Sequence, residues 1–244
     1  MAPYQHNPLQ IRRGLAALGK LLQDPDDTAQ FATIVESFQG DSVHLLRWRM
    51  ERHPKGKKLL QQKPDLLARL SDHPALEKLP AGTLGRVYLD YCRRENISGR
   101  GLKEVIEKGY SKKLREGLTP EQKFLGDWIR DTHDLFHLVT GYQTDLIGEL
   151  CVLAFTMAQT WNTGVLVPIG TAFTMAGIFY PEGRRLAFEA MRRAWNAEFF
   201  PAQDWTKLLE KPLPEVRRLL KVGEAPAYEP IYTRARRKDS GAEA

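Results

Sequence analysis

From residue 150 to residue 181 this 244-residue chain carries no charged side chain. That run limits the fold more than any other feature, because so much uncharged sequence cannot stay open to water. It must cross a bilayer, fold back as a buried helical hairpin, or wall an apolar cavity. A helical span needs roughly 20 predominantly apolar residues. Here Gln159, Asn162, Gly164 and Pro168 interrupt the run, leaving only residues 165–180 nearly continuous in apolar character. A buried hairpin, or the wall of an apolar lipid-binding cavity, is the expectation, and a span is the lesser alternative.

The rest of the chain supplies helices for such a hairpin to pack on. Ile11, Leu15, Leu18, Leu21 and Leu22 recur at helical spacing, and Asp24-Pro25-Asp26-Asp27 ends that helix. Asp26 or Asp27 can cap the next, where Phe31, Ile34, Val35 and Phe38 mark one face. A helix is expected over residues 43–52, a basic loop over 53–58 and a further helix over 84–95. Thr119-Pro120 reads as the cap and first position of the helix that carries His133 and His137. An Arg-rich amphipathic helix is expected over 181–200 and a short one over 213–221. Strand-like alternation is nearly absent. Hydrophobic residues at 42% and charged residues at 27% are ordinary for a globular chain of this length. The reading is all-α: a single multi-helix domain over 1–232, with a charged, disordered tail over 233–244.

The formal net charge of +6 favours anionic surfaces, either nucleic acid or an acidic membrane, unless it is only a solvated basic face. The basic runs at 52–58 and 234–238 are scattered, with no aromatic residues interleaved for stacking, so nucleic acid is not the expected partner. Arg184, Arg185, Arg192 and Arg193 are candidates to meet acidic head groups, or simply a solvated face. Cys92 and Cys151 lie far apart without metal-type spacing and fit a reducing compartment. Residues 1–12 lack the apolar core of a signal peptide, so a cytoplasmic location is expected. Gly82, Thr83 and Gly85 match no nucleotide loop, and turn or capping roles explain them more simply.

The chemistry-bearing pattern is His133-Asp134-Leu135-Phe136-His137. Residues four apart on a helix share a face one turn apart, so the two imidazoles can bind one cation together. Asp134, rotated about 100° from His133, falls near the edge of that face. Glu149 lies 12 residues beyond His137 and about 120° off its face on an unbroken helix. Gly141 makes a break there, with Thr144 or Asp145 capping a new helix, and such a turn can return Glu149 to the histidines. Two histidines with one or two carboxylates suit zinc, or iron as in non-haem oxygenases. The competing reading is a polar helix face in which Asp131, Asp145 and Glu149 are solvated charges.

The stretch from His133-Asp134, through His137, Gly141 and Tyr142, to Gly148-Glu149 resembles the signature of the coenzyme Q biosynthesis protein 4 family. That signature, HD, two residues, H, eleven residues, E, is matched without a gap. Leu79-Pro80-Ala81-Gly82-Thr83-Leu84-Gly85 resembles the family's upstream LP-x-GTLG element, and the region of Trp205 and Pro212-Leu213-Pro214-Glu215-Val216-Arg217 its C-terminal end, more loosely. The resemblance covers roughly residues 75–222, with Gln143 where the family pattern has Gly.

The resemblance implies a nearly all-helical fold and one divalent metal ion, iron or zinc, held by His133, Asp134, His137 and Glu149. It implies a role in ubiquinone biosynthesis on the cytoplasmic or matrix face of a membrane. The expected partners are a prenylated quinone precursor or other isoprenoid lipid, other ubiquinone biosynthesis enzymes, the membrane surface and a second copy of the chain as a homodimer. Two activities fit: oxidative decarboxylation at ring carbon 1 of a prenylated hydroxybenzoate, or a non-catalytic scaffold that presents the precursor to other enzymes.

Overall fold

The computed structural model describes residues 7–95, 101, 104, 107–224 and 226–232, with backbone alone for 112–114 and 175–179. The charged tail expected at 233–244 lies outside the described residues. Among those described the chain is helical throughout, with one isolated bridge between Thr83 and Pro212 and no strand.

Helices α1 (Ile11–Gln23) and α2 (Thr28–Phe38) form a hairpin, and the cap of α2 is Asp27, whose carboxylate accepts from Gln30 N–H. The pair packs closely because Gly14 has no side chain: a Cβ there would meet the Phe38 ring. Next come α3 (Ser42–Arg52), α4 (Pro54–Gln62), α5 (Leu66–Ser71), α6 (His73–Glu77) and α7 (Leu84–Glu95). The expected basic loop at 53–58 is instead the start of α4. His53 caps it by accepting from Gly56 N–H, Pro54 takes the first position, and Gly56 lies hard against the Met50 backbone. A run of lysines does not forbid a helix whose charges all face water.

The expected ligand helix starting at Thr119-Pro120 is two helices. After α8 (Lys112–Gly117), α9 (Pro120–Asp131) opens with a reciprocal box in which the Thr119 hydroxyl accepts from Gln122 N–H and the Gln122 side chain accepts from Thr119 N–H. It stops at Thr132, whose hydroxyl donates to Ile129 O, and α10 (His133–Thr140) begins at once.

The uncharged run divides in two. Helix α11 (Leu146–Thr160) is buried and packs most extensively on α13 (Pro181–Asn196), whereas α12 (Leu166–Phe179) lies at the surface on α2, α11 and α13. The expected buried hairpin therefore describes only its first half. No described helix is long and apolar enough to cross a membrane. Helix α13 ends at Asn196 rather than near residue 200, and α14 (Trp205–Leu208) and α15 (Leu213–Leu219) follow.

The two stretches that resemble the family outside the metal motif pack on each other. Leu84 N–H donates to Lys211 O, Gly85 N–H to Leu209 O and Leu213 N–H to Gly82 O. The amides that a phosphate would need at this turn are thus partly spent on backbone carbonyls. Gly82 sits at φ +81, a conformation glycine adopts without strain, and a Cβ on Gly85 would fall 2.6 Å from Leu79 and 3.1 Å from Leu209 O.

Gly85→Ala should therefore lower stability by about 1–3 kcal/mol through overpacking. Gly126→Ala, on the exposed face of α9 with nothing within 4 Å, should be neutral or raise it by about 0.5–1 kcal/mol. Urea unfolding followed by circular dichroism checks both, and equal effects would contradict the packing described.

Candidate metal centre

Helix α10 is anchored on its inner side by Leu135, Phe136 and Val139, all buried. Phe136 packs edge-to-face on Phe200 at 5.0 Å between ring centroids and lies 5.6 Å from Trp205. The carboxyl end of α10 is held by two guanidinium groups. Arg193 donates to Thr140 O, and Arg217 donates to Leu138 O and Val139 O, satisfying carbonyls that a helix end leaves free. Arg193 is buried in this role, so it is not among the arginines available to acidic head groups.

Gly141 takes the left-handed conformation, φ +81, and closes α10. Asp145 caps α11 by accepting from Ile147 N–H, which puts Glu149 in the first turn of α11. The chain reversal expected between Gly141 and Asp145 is thus present, and it carries Glu149 back to the histidines. His133 Nε2 lies 3.4 Å and His137 Nε2 3.3 Å from Glu149 Oε2, and the two Nε2 atoms are 3.3 Å apart.

These three atoms form a nearly equilateral triangle. A point equidistant from them lies about 1.9 Å from each, close to the roughly 2.0–2.2 Å of zinc–imidazole and zinc–carboxylate bonds. The tautomer fits as well. His137 Nδ1 faces Tyr142 O at 3.0 Å and Gln143 O at 3.1 Å, both acceptors, so Nδ1 keeps its proton and Nε2, once deprotonated, offers its lone pair to the cluster. Histidine with a second hydrogen bond to carbonyl oxygen is a common ligand arrangement. His137 is buried, while His133 and Glu149 are partly exposed, so one side of the triangle opens to solvent.

Asp134 stands outside the converging set. It is buried, and burial pushes its carboxyl up against the opposing pull of His133 and His137. Burial opposes charge on His137 too, but Glu149 and then Asp134 raise its imidazole to about 9. Burial also opposes charge on Glu149, yet the two histidines hold its carboxyl well below the ordinary range. One residue the sequence did not point to comes from α7: burial, then Asp134 and Glu149, push the Tyr91 phenol up. Tyr91 keeps its proton and can donate. Its only sequence signal is its place on the buried face of an amphipathic helix, beyond the upstream family element.

The loop 142–146 is itself tied down by residues 226–232. Tyr228 Oη donates to Asp145 Oδ2 and accepts from Gln143 N–H, Ile231 N–H donates to Asp145 Oδ1, and Leu146 N–H donates to Ile231 O. Gly148 is needed for this closure, since a Cβ there would overlap Gln143 O and crowd Tyr228 Oη. Asp131 and Asp145 are accordingly not solvated charges: Asp131 pairs with Arg130 at 2.7 Å and Asp145 is buried.

Fold and site together define a class: an all-helical protein in which two histidines and a carboxylate converge across a helix–turn–helix junction. The profile of coenzyme Q (ubiquinone) biosynthesis protein Coq4 matches residues 5–226. The ubiquinone biosynthesis protein coq-4, mitochondrial, of Caenorhabditis elegans is 30% identical over 226 residues, 89% of this chain and 93% of that protein. The Neurospora crassa protein of the same name is 28% identical over 80% of this chain, which spans only 54% of that relative's length. A crystal structure from Nostoc punctiforme, assigned in its naming to ubiquinone biosynthesis, has TM-score 0.63 and 22% identity, covering 88% of this chain and 100% of that one. It supports the fold. This chain belongs to the Coq4 family of ubiquinone biosynthesis proteins.

Two outcomes follow from the site's electrostatics. With its pKa near 9, His137 is protonated at neutral pH in the metal-free protein, and a divalent ion must displace that proton. Zinc binding should release about one proton near neutrality and tighten as pH rises, levelling off above the imidazole's pKa. Titration calorimetry in buffers of different ionisation enthalpy checks this, and binding without proton release would contradict it. Tyr228→Phe should weaken metal binding about tenfold with helix content unchanged, measured by chelator competition.

Proposed function

We propose that this chain binds one divalent metal ion through His133, His137 and Glu149, and that it acts in oxidative decarboxylation of a prenylated hydroxybenzoate. The observation that carries the reading is the 3.3–3.4 Å triangle of two imidazole nitrogens and one carboxylate oxygen, open on the side of His133 and Glu149. Two histidines and one carboxylate on one face of an ion, with positions left open, is the ligand set of non-haem iron oxygenases. The bound ion would supply Lewis acidity toward a phenolate or carboxylate and, if iron, a place for oxygen chemistry.

The protein's own groups have separate roles. His137, fixed through Nδ1 by two carbonyls, presents Nε2 without reorganisation. His133 and Glu149 complete the set from the exposed side. Asp134 works as a positioning group beside both histidines, or joins as a fourth ligand. Tyr91, which burial and the carboxylates of Asp134 and Glu149 keep protonated, would act as a hydrogen-bond donor toward the substrate. The overall change replaces the aromatic carboxylate by a hydroxyl. One oxygen atom of dioxygen enters the ring and carbon dioxide leaves. The second oxygen leaves as water, taking two electrons and two protons from an external reductant. A prenylated substrate resides in a bilayer, so the chain works at a membrane surface.

A second reading, a non-catalytic scaffold that binds the prenylated precursor and organises the biosynthetic enzymes, is favoured by the burial of Asp134 beside the triangle. A fourth ligand would close the site in the manner of structural zinc. The deciding experiment is metal analysis of anaerobically purified protein beside the His133→Ala/His137→Ala double variant, with ubiquinone restoration in cells lacking the endogenous protein. The decarboxylase reading expects about one iron per chain, lost in the variant together with ubiquinone. Tightly held zinc favours the scaffold. If neither chain holds metal and both restore ubiquinone, the metal site is refuted.

A further inference from the structure

Helix α1 buries the wrong residues for an ordinary surface helix. Its fully buried positions are Gly14 and Ala17, whereas Ile11 is 55% exposed and Leu15 and Leu22 are each 56% exposed. At about 100° per residue, Ile11, Leu15, Leu18 and Leu22 fall within one arc of about 60°, beside the buried face but not part of it. Leu9, just before the helix, is exposed as well. The apolar sector of α1 is therefore wider than the sector its neighbours cover.

The exposed stripe continues onto α12. Leu22 shares a shallow groove with Leu166, Val167, Gly170, Thr171 and Thr174. Of these, Leu166, Gly170 and Thr174 follow one another at helical spacing along the outer side of α12, which carries no charge at all. Beyond α12, Phe188 of α13 is 62% exposed and packs edge-to-face on Phe173 of α12. Arg184 lies over that same Phe173 ring at 5.1 Å. Three neighbouring helices thus expose apolar side chains side by side, a patch of the kind that marks an interaction surface.

We propose that this face, α1 with the outer sides of α12 and α13, is where the protein lies on an anionic bilayer. Charge selects the occupant. The outer side of α13 carries exposed Arg184 and Arg192 beside Phe188 and Trp195, and α1 adds exposed Arg12, whereas Arg193 is buried, Arg13 pairs with Glu36 and Arg185 pairs with Glu182 and Glu189. A second copy seated on this face would add its own Arg184 and Arg192 to the same cationic patch, whereas acidic head groups neutralise them. Amphipathic helices with basic flanks lie in the interfacial plane with the apolar side among the acyl chains. Tyr180, just before α13, and Trp195 on it are both exposed, and they are residue types that settle at the head-group level. Docking along the surface also agrees with the absence, among the described residues, of any helix able to span. This assigns a specific surface to the membrane-side part of the proposed function. It does not rest on the metal ligands.

The test is co-sedimentation of the full chain with phosphatidylcholine–phosphatidylglycerol vesicles and with pure phosphatidylcholine vesicles. The wild type should bind the anionic vesicles, more weakly as salt rises. The exposed-residue variant Ile11→Ser/Leu15→Ser/Leu22→Ser should lose at least about tenfold in binding. Its thermal unfolding and metal content should stay those of the wild type. Arg184→Glu/Arg192→Glu should lose the preference for anionic lipid. Undiminished vesicle binding by the triple serine variant overturns the proposal, as does a wild type that binds neither vesicle. So does a wild-type dimer in sedimentation equilibrium that the serine variant reduces to monomer without a change in lipid binding. Loss of metal in the His133→Ala/His137→Ala variant with vesicle binding intact separates failure of the metal reading from failure of this one.

Discussion

The hydrogen bond from His137 Nδ1 to the carbonyls of Tyr142 and Gln143 is the contact on which the candidate site depends. It fixes an imidazole that has little solvent to orient it, and it ties the end of α10 to the loop that starts α11. Without that loop conformation Glu149 would point elsewhere, because nothing on α10 itself supplies a carboxylate to the exposed side. The conformation is in turn overdetermined. Gly141 turns the chain, Asp145 caps the next helix and anchors residues 226–232, and Gly148 allows the backbone of residue 143 to approach. A site assembled from two helices gains its rigidity from such a shell rather than from the ligands themselves.

The same logic explains the buried arginines. Arg193 and Arg217 come from α13 and α15, yet both spend their donors on the last carbonyls of α10. A helix of only eight residues carrying two imidazoles is a marginal element by itself. Cation caps at its carboxyl end and aromatic packing around Phe136 make it a fixed platform. The C-terminal family-like stretch, Pro212 to Arg217, therefore contributes to the site through Arg217 and to the fold through its pairing with the Gly82–Gly85 turn. These distant segments of sequence converge on one structural purpose, which is holding α7, α10 and α15 in register.

The uncharged run shows a division of labour. Its first half lies in α11, a core helix whose first turn, just before the run, carries Glu149; its second half, α12, lies on the outside with α1. One stretch of apolar sequence thus serves both the interior that supports the site and a surface that shuns water. Between them Thr163 and Gly164 meet α2 and α3 closely: Thr163 donates to Phe38 O and a Cβ on Gly164 would strike Val35 O. That close approach turns the chain outward before α12.

Much of this was written in local sequence. Helical periodicity specified an all-α chain, Asp27 and Thr119 specified caps, and the i, i+4 spacing of His133 and His137 specified a shared face because helix geometry alone decides it. Gly141 and Asp145 even marked the reversal needed by Glu149. Other features had no local signature. Lysines at 55–58 read as loop although a helix tolerates charges that face water, and Thr132 read as mid-helix although its hydroxyl competes with the backbone there. Arg193 read as a surface cation although three carbonyls claim it. Whether a residue is covered is a property of its neighbours in space. Sequence therefore determined which side chains can bind a metal and on which helices they ride. Only the tertiary structure decided that Glu149 closes the triangle, that Asp134 stands beside it, and that the leucines of α1 face outward.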